Sequence, residues 1–241
     1  QRWEDPLLIF AEAYNTLIVD KKGFKGQIPK VEGLEAKDNM AAYVDRKLFV
    51  HNLGHAVTAY LGYITDSEIK YIWEAISDDS IRRAAKEAMW ESGRALIAEY
   101  PQEFIERNMK EDIDDLVRRF GNKALGDTIF RVGRDVPRKL SRNDRLIGAL
   151  LLDAKHGVRS PCTALGAAAA MLFRGKDERG EMFGKDRIFA EETYPRGIDF
   201  VLKEVCRLDF ERERNLIDSV KEAYDFIDKD RKNWFSWLNL K

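Results

Sequence analysis

Lys47-Leu-Phe-Val-His-Asn-Leu-Gly-His55 places an amine, an amide and two imidazoles inside a segment otherwise apolar enough to be buried. With Lys47 set at zero, the roughly 100° step of an α-helix puts His51 at about 40°, His55 at about 80° and Asn52 at about 140°. Val50, Leu53, Val57, Tyr60 and Leu61 fall on the opposite side. That is a helix with an apolar face for a core and a polar face for chemistry. A lysine in this setting is expected to be desolvated, which favours the neutral amine and makes it a general base near pH 7. Each residue also has an ordinary reading. Long lysines lie over apolar surface with the amine in water, asparagines often bond backbone, and a lone histidine is commonly a satisfied core imidazole.

Working outward, helical patterns cover almost everything after residue 36. Asp38 or Asn39 caps a long helix running to about Ile64. Asp66 or Ser67 opens another through Ser77, Asp79 and Ser80 precede a run to Tyr100, and Pro101 opens the next. Ser160-Pro161 is a cap followed by proline at the first helical position, leading into the alanine-rich run 164–172. Two more amphipathic helices are expected over 191–208, with Pro195 in an early turn, and over 211–229. The fold class is all-α: a multi-helix domain over 37–241 behind a short N-terminal arm over 1–36. In that arm Thr16-Leu-Ile-Val-Asp20 reads as a strand, and Gly23, Gly26 and Pro29 read as loop. One strand alone leaves its backbone groups without a ladder, so it is expected to join a sheet outside this chain. The alternative is a helical or irregular segment packed on the bundle.

At 241 residues, 44% hydrophobic and 34% charged, the chain is long enough for one large domain or two small ones. A net charge of −1 gives no reason to expect nucleic acid or an anionic membrane as partner. The longest apolar stretch, Leu165 to Phe173, is too short to span a bilayer. No signal peptide is recognisable, and Cys162 and Cys206 suggest no disulfide framework, so a cytoplasmic setting is expected. The chain starts at Gln1 rather than Met, which suggests further sequence upstream.

Two other clusters carry possible chemistry. His51 and His55 form an i,i+4 pair of the kind that ligates metal. The zinc-protease pattern needs Glu directly after the first histidine, where this chain has Asn52, and His156 and both cysteines are remote in sequence, so no metal is expected. The second cluster runs from Arg131 to Arg145. It holds Arg131, Arg134, Arg138, Lys139, Arg142 and Arg145 against Asp135 and Asp144, a local charge near +4. Its ordinary reading is a solvated loop and helix start; its pointed reading is a binding site for a phosphate monoester, which suits guanidinium forks.

Lys47, Asn52 and His55 match the Lys-x4-Asn-x2-His signature of the polyol-specific long-chain dehydrogenase/reductase family, which this chain resembles. Further stretches carry the resemblance: Ile18-Val-Asp-Lys-Lys-Gly-Phe-Lys-Gly26, Arg46-Lys-Leu-Phe49, Gly54-His-Ala-Val-Thr-Ala-Tyr-Leu-Gly62, Glu91-Ser-Gly93 and Arg131-Val-Gly-Arg-Asp-Val-Pro-Arg-Lys-Leu-Ser-Arg-Asn-Asp-Arg-Leu-Ile147. It spans about 14–173, and beyond 174 only a helical tail is recognisable.

The resemblance implies a fold like the helical carboxy-terminal domain of 6-phosphogluconate-dehydrogenase-like enzymes. It implies NAD-dependent oxidation of a polyol, with Lys47 taking the hydroxyl proton, Asn52 donating to the alkoxide or carbonyl oxygen and His55 orienting a neighbouring hydroxyl. Lysine there replaces the zinc of other dehydrogenases. Arg131 and Lys139 have the eight-residue spacing of the family's substrate contacts, and Arg134 and Arg138 are further candidates for a phosphate, which makes a sugar phosphate the expected ligand. Family members also carry an N-terminal Rossmann domain for the cofactor, absent here together with any Gly-x-Gly-x-x-Gly turn. The chain is therefore expected to be a truncated substrate domain whose arm strand extends the cofactor-domain sheet. The same mechanism on unphosphorylated polyols or hexuronates is the near alternative, and a non-catalytic sugar-phosphate-binding scaffold the distant one. A Rossmann domain encoded upstream of Gln1 separates enzyme from scaffold.

Overall fold

The computed structural model describes residues 16–239; the arm residues 1–15 lie outside the described residues. Strand β1 (Leu17–Asp20) forms where the β-branched run places it. It has a partner within the chain, however, which corrects the orphan-strand expectation. Strand β2 (Leu34–Lys37) pairs with it in parallel, Leu17 opposite Leu34 and Asp20 opposite Lys37. Leu-Glu-Ala-Lys contains no β-branched residue, so propensity gives no sign of β2; the ladder to β1 makes it a strand.

Helix α1 (Met40–Arg46), a π-helical turn (Lys47–Asn52) and helix α2 (Leu53–Thr65) then run on without a break. The expected long helix is present, but its most informative stretch is wound with i→i+5 bonds, so the α-helical angles do not hold through it. Helix α2 is the axis of the core. Leu53, Ala56, Val57, Ala59, Tyr60 and Leu61 are fully buried. It packs against α3 (Ile72–Ser77), α4 (Asp79–Glu99), α6 (Ile129–Gly133) and α9 (Pro161–Met171). Gly54 permits the approach of α4, since a Cβ there would sit 2.4 Å from Met89 Sδ.

Several boundaries differ from expectation for tertiary reasons. Helix α3 starts at Ile72 rather than near Asp66, because the preceding segment is tied to the chain before α6. The Ile129 N–H donates to the Lys70 carbonyl at 2.8 Å and the Ile72 N–H to the Asp127 carbonyl at 2.9 Å. Helix α4 begins slightly earlier than expected: Asp79 is already helical, and the cap is Asp78, which accepts from the Ser80 and Ile81 N–H groups at 2.8 and 3.0 Å. Pro101 does not open a helix. It lies in a turn that sends Phe104 into the core, and α5 (Glu106–Phe120) starts later.

Helix α9 begins at Pro161 as expected, and its alanines are buried throughout, which is why an alanine-rich helix is tolerated there. Ser160 is not the side chain that caps it. Glu91, itself 1% exposed, reaches over from α4 and accepts the Cys162 and Thr163 N–H groups at 2.9 and 2.8 Å, plus the Thr163 hydroxyl at 2.7 Å. Burial still raises its carboxyl to about 7. The Glu91-Ser-Gly93 stretch is thus structural.

Helices α7 (Val136–Lys139) and α8 (Ile147–Lys155) follow α6. The span expected as one helix over 191–208 starts earlier, at α10 (Gly184–Ile188), and breaks at Gly197, whose φ is +95°, before α11 (Ile198–Phe200). Pro195 sits in a 3-10 turn. Helix α12 (Arg214–Lys229) packs on α9, and a terminal 3-10 segment inserts Trp234, whose indole N–H donates to Thr65 Oγ1 at 2.8 Å. Among the described residues no helix is long and apolar enough to cross a membrane.

One contact locks the basic run to α2. The Tyr60 hydroxyl donates to the Gly133 carbonyl at 2.8 Å, and the Phe173 ring lies so close that a Cβ on Gly133 would stand 2.5 Å from it. Gly133→Ala is expected to destabilise the chain by about 1–3 kcal/mol, the usual cost of overpacking, measured by denaturant unfolding. An unchanged midpoint would mean that Phe173 moves aside without cost.

Candidate active site

The π-helical turn and the first turn of α2 present their polar side chains to two adjoining spaces. The first is a cavity of about 250 Å³ lined by His51, His55, Phe120, Asn122, Asp127 and Arg131, among others. The second is a groove of about 390 Å³ beside β1, lined by Leu17, Ile18, Arg46, Lys47 and His51 among others. His51 is the wall between them. The structure therefore brings His55 and Arg131 to one cavity and sets Lys47 next door.

Lys47 is exposed in this structure, contrary to the expected desolvation. Its side of the helix lies open at the groove, so nothing among the described residues dries it. Asn52 is half-buried and its side chain makes no hydrogen bond among the described residues, which leaves its amide free to donate.

His55 is well fixed. Its ring stacks on Phe120 with centroids 4.7 Å apart and planes 10° apart, and His51 lies 6.1 Å away, centroid to centroid. Burial, followed by the neighbouring His51, Arg131, Arg145 and Lys139, lowers its pKa to about 3. Nε2 of His55 is 3.4 Å from Asp127 Oδ2. With so low a proton affinity the ring is neutral, and this is a contact between a carboxylate and an uncharged imidazole rather than an ion pair. A neutral imidazole offers one donor and one acceptor, which suits a hydroxyl.

The basic run is folded against carboxylates. Arg131 pairs with Asp127; Arg138 pairs with Asp135 at 2.6 Å and Asp144 at 2.8 Å; Arg145 pairs with Asp144 at 2.8 Å. Arg142 grips Glu213 with two nitrogens at 2.9 and 2.5 Å. Glu213 and Asp127 lie outside the run, so counting charge within it overstated how much cation is left uncompensated. Arg134 is exposed, has no carboxylate partner among the described residues and lies 5.6 Å over the Phe183 ring. Lys139 is the desolvated lysine of the structure: it is 4% exposed and bonds the Arg134 carbonyl. Burial first, then Arg145 and Arg138, pulls its pKa down to about 8. The loop between them is held by buried Asp186, which accepts the Asp135 and Val136 N–H groups at 2.9 and 2.7 Å and supports Asp135 at a φ of +67°.

Two contributors escaped the sequence reading. Phe120, which carries His55, ends a helix far along the chain and nothing local marks it. Asp127 had a signal, its i,i+4 relation to Arg131. Among the described residues no three His, Cys, Asp or Glu side chains group as metal ligands.

The model of the mannitol dehydrogenase C-terminal domain family matches residues 39–228. Among solved structures, the chain is similar to Pseudomonas fluorescens mannitol 2-dehydrogenase, in a ternary complex with NAD and D-mannitol. The two share 18% identity and a TM-score of 0.63 over 87% of this chain and 43% of that one. It is also similar to a D-sorbitol dehydrogenase in substrate-free form, with 19% identity and a TM-score of 0.60 over 88% of this chain and 44% of the other. The likeness in fold is that of the all-α domain, and the chain spans less than half the length of either structure.

Proposed function

Because this chain belongs to the mannitol dehydrogenase family through its C-terminal domain, we propose that it is the substrate half of an NAD-dependent dehydrogenase interconverting D-mannitol 1-phosphate and D-fructose 6-phosphate. The observation that carries the reading is a neutral His55 and a cationic Arg131 on one cavity, with Lys47 on the adjoining groove of the same helix. No glycine-rich dinucleotide turn occurs in the sequence, so the cofactor would be held by an N-terminal Rossmann domain of the parent chain. A bound nicotinamide would supply the hydride acceptor. This chain's residues do the rest. Lys47 accepts the hydroxyl proton at its amine and returns it in the reverse direction. Asn52 donates its amide N–H to the same oxygen as charge develops there. His55 hydrogen-bonds the next hydroxyl. Arg131, Lys139 and Arg134 face the phosphate, with Arg138 in reserve because two carboxylates already hold it. A docked cofactor domain would also cover the groove and supply the desolvation that Lys47 lacks on its own.

One observation favours a second reading, a dehydrogenase of unphosphorylated polyols: Arg131, Arg138, Arg142 and Arg145 are all paired with carboxylates. A dianion competes for Arg131 and finds Arg134 without a carboxylate partner among the described residues, so the phosphate reading stands first. The parent dehydrogenase, followed by NADH absorbance, is expected to turn over mannitol 1-phosphate. The 241-residue chain by itself is expected to fold but to show neither turnover nor NADH binding. Turnover by the chain alone would defeat the division of labour.

A further inference from the structure

Asp127 stands between two groups of the site and is built in firmly. One carboxylate oxygen is 3.4 Å from Nε2 of His55, and the other pairs with the Arg131 guanidinium. Its backbone is clamped on both sides. The Asp127 carbonyl accepts the Ile72 N–H at 2.9 Å, Thr128 bridges to Tyr71, and Thr128 Oγ1 accepts the Arg131 N–H at 3.1 Å. Phe120 fixes the plane of the His55 ring from the other side. A ring held in its plane can still carry its single proton on either nitrogen, and which nitrogen does so is set by what each one faces. A carboxylate repels a ring lone pair and attracts a ring N–H.

We propose that Asp127 is a positioning residue of this site: it keeps the His55 proton on Nε2, leaves Nδ1 as the acceptor offered to substrate, and pins Arg131 to the cavity wall. The inference rests on the dehydrogenase reading above and deepens it. An Nδ1 acceptor recognises an O–H donor, so the carbon beside the reacting one must bear a hydroxyl. A deoxy carbon or a carbonyl there gives the ring nothing to accept.

The test is long-range proton–nitrogen NMR of the imidazole rings in the 241-residue chain at neutral pH. The chain has three histidines, so His51→Gln and His156→Gln assign the signals. The wild type is expected to show the Nε2–H tautomer at His55. In Asp127→Asn the Arg131 guanidinium retains the side-chain oxygen, the amide N–H turns to the ring, and the proton should move to Nδ1. In Asp127→Ala the two tautomers should mix. An Nδ1–H tautomer in the wild type, or an unchanged tautomer in both variants, overturns the proposal; the wild-type measurement decides even if a variant fails to fold. In the parent dehydrogenase, Asp127→Asn should lower kcat/KM about tenfold, as loss of one such hydrogen bond implies, for the natural polyol but not for its deoxy analogue. An equal loss for both substrates also counts against it. If the parent oxidises no polyol at all, the dehydrogenase reading fails, while the tautomer still reports whether Asp127 controls the ring.

Discussion

Lys47→Ala in the parent dehydrogenase is expected to lower kcat by roughly 10²–10⁴-fold, the range typical of acid–base groups, with KM nearly intact. The alcohol proton must leave as the hydride does, and without an amine at that place only water is left to take it. KM holds because His55 and the basic loop, which bind the substrate in this reading, are untouched by the change. Small primary amines added to the assay should restore part of the rate, because the deleted group is itself an amine. Near-normal kcat would make Lys47 an ordinary exposed lysine, consistent with its exposure here. The base would then be sought at Lys139, which is buried and whose amine is pulled down to about 8.

That contest between two lysines shows where sequence reading stops. The all-α class, the long helix through residues 40–65, the run of α4 to about Tyr100 and the Pro161 start of α9 were legible because caps, prolines and apolar periodicity are local signals. The π turn was not, since i→i+5 winding leaves the same apolar spacing as an α-helix over so short a stretch. Strand β2 was not, because its identity comes from β1 and not from Leu34-Glu-Ala-Lys37. At the site, the residue types on the Lys47–His55 helix and in the basic run were visible, but their electrostatic state was not. Neutrality of His55 and neutralisation of Arg142 by Glu213 depend on partners distant in sequence, and the desolvation of Lys139 depends on how its loop is buried in the fold. A charge count along the chain sees only neighbours in the chain.

The phosphate assignment is where that distinction has the largest measurable consequence. A dianionic monoester held by Arg131, Lys139 and Arg134 gains charge-assisted hydrogen bonds of about 1.5–3 kcal/mol each. Two such bonds imply roughly two to four orders of magnitude in kcat/KM favouring fructose 6-phosphate over fructose, since 1.4 kcal/mol is about tenfold. Arg131→Ala and Arg134→Ala should each penalise the phosphate substrate far more than the free sugar. Arg138→Ala should do so least, because its guanidinium already satisfies Asp135 and Asp144. The pH dependence follows from Lys139, which burial brings to about 8. Its folded-state proton affinity is depressed, so the amine is charged below that value and neutral above it. KM for fructose 6-phosphate should therefore rise as pH climbs through about 8, while KM for fructose stays level. Raised salt should weaken the phosphate substrate alone, by screening the exposed Arg131 and Arg134. Equal kcat/KM for the two sugars would mean that the run's arginines serve their carboxylates and not a ligand, and would promote the unphosphorylated polyol as substrate.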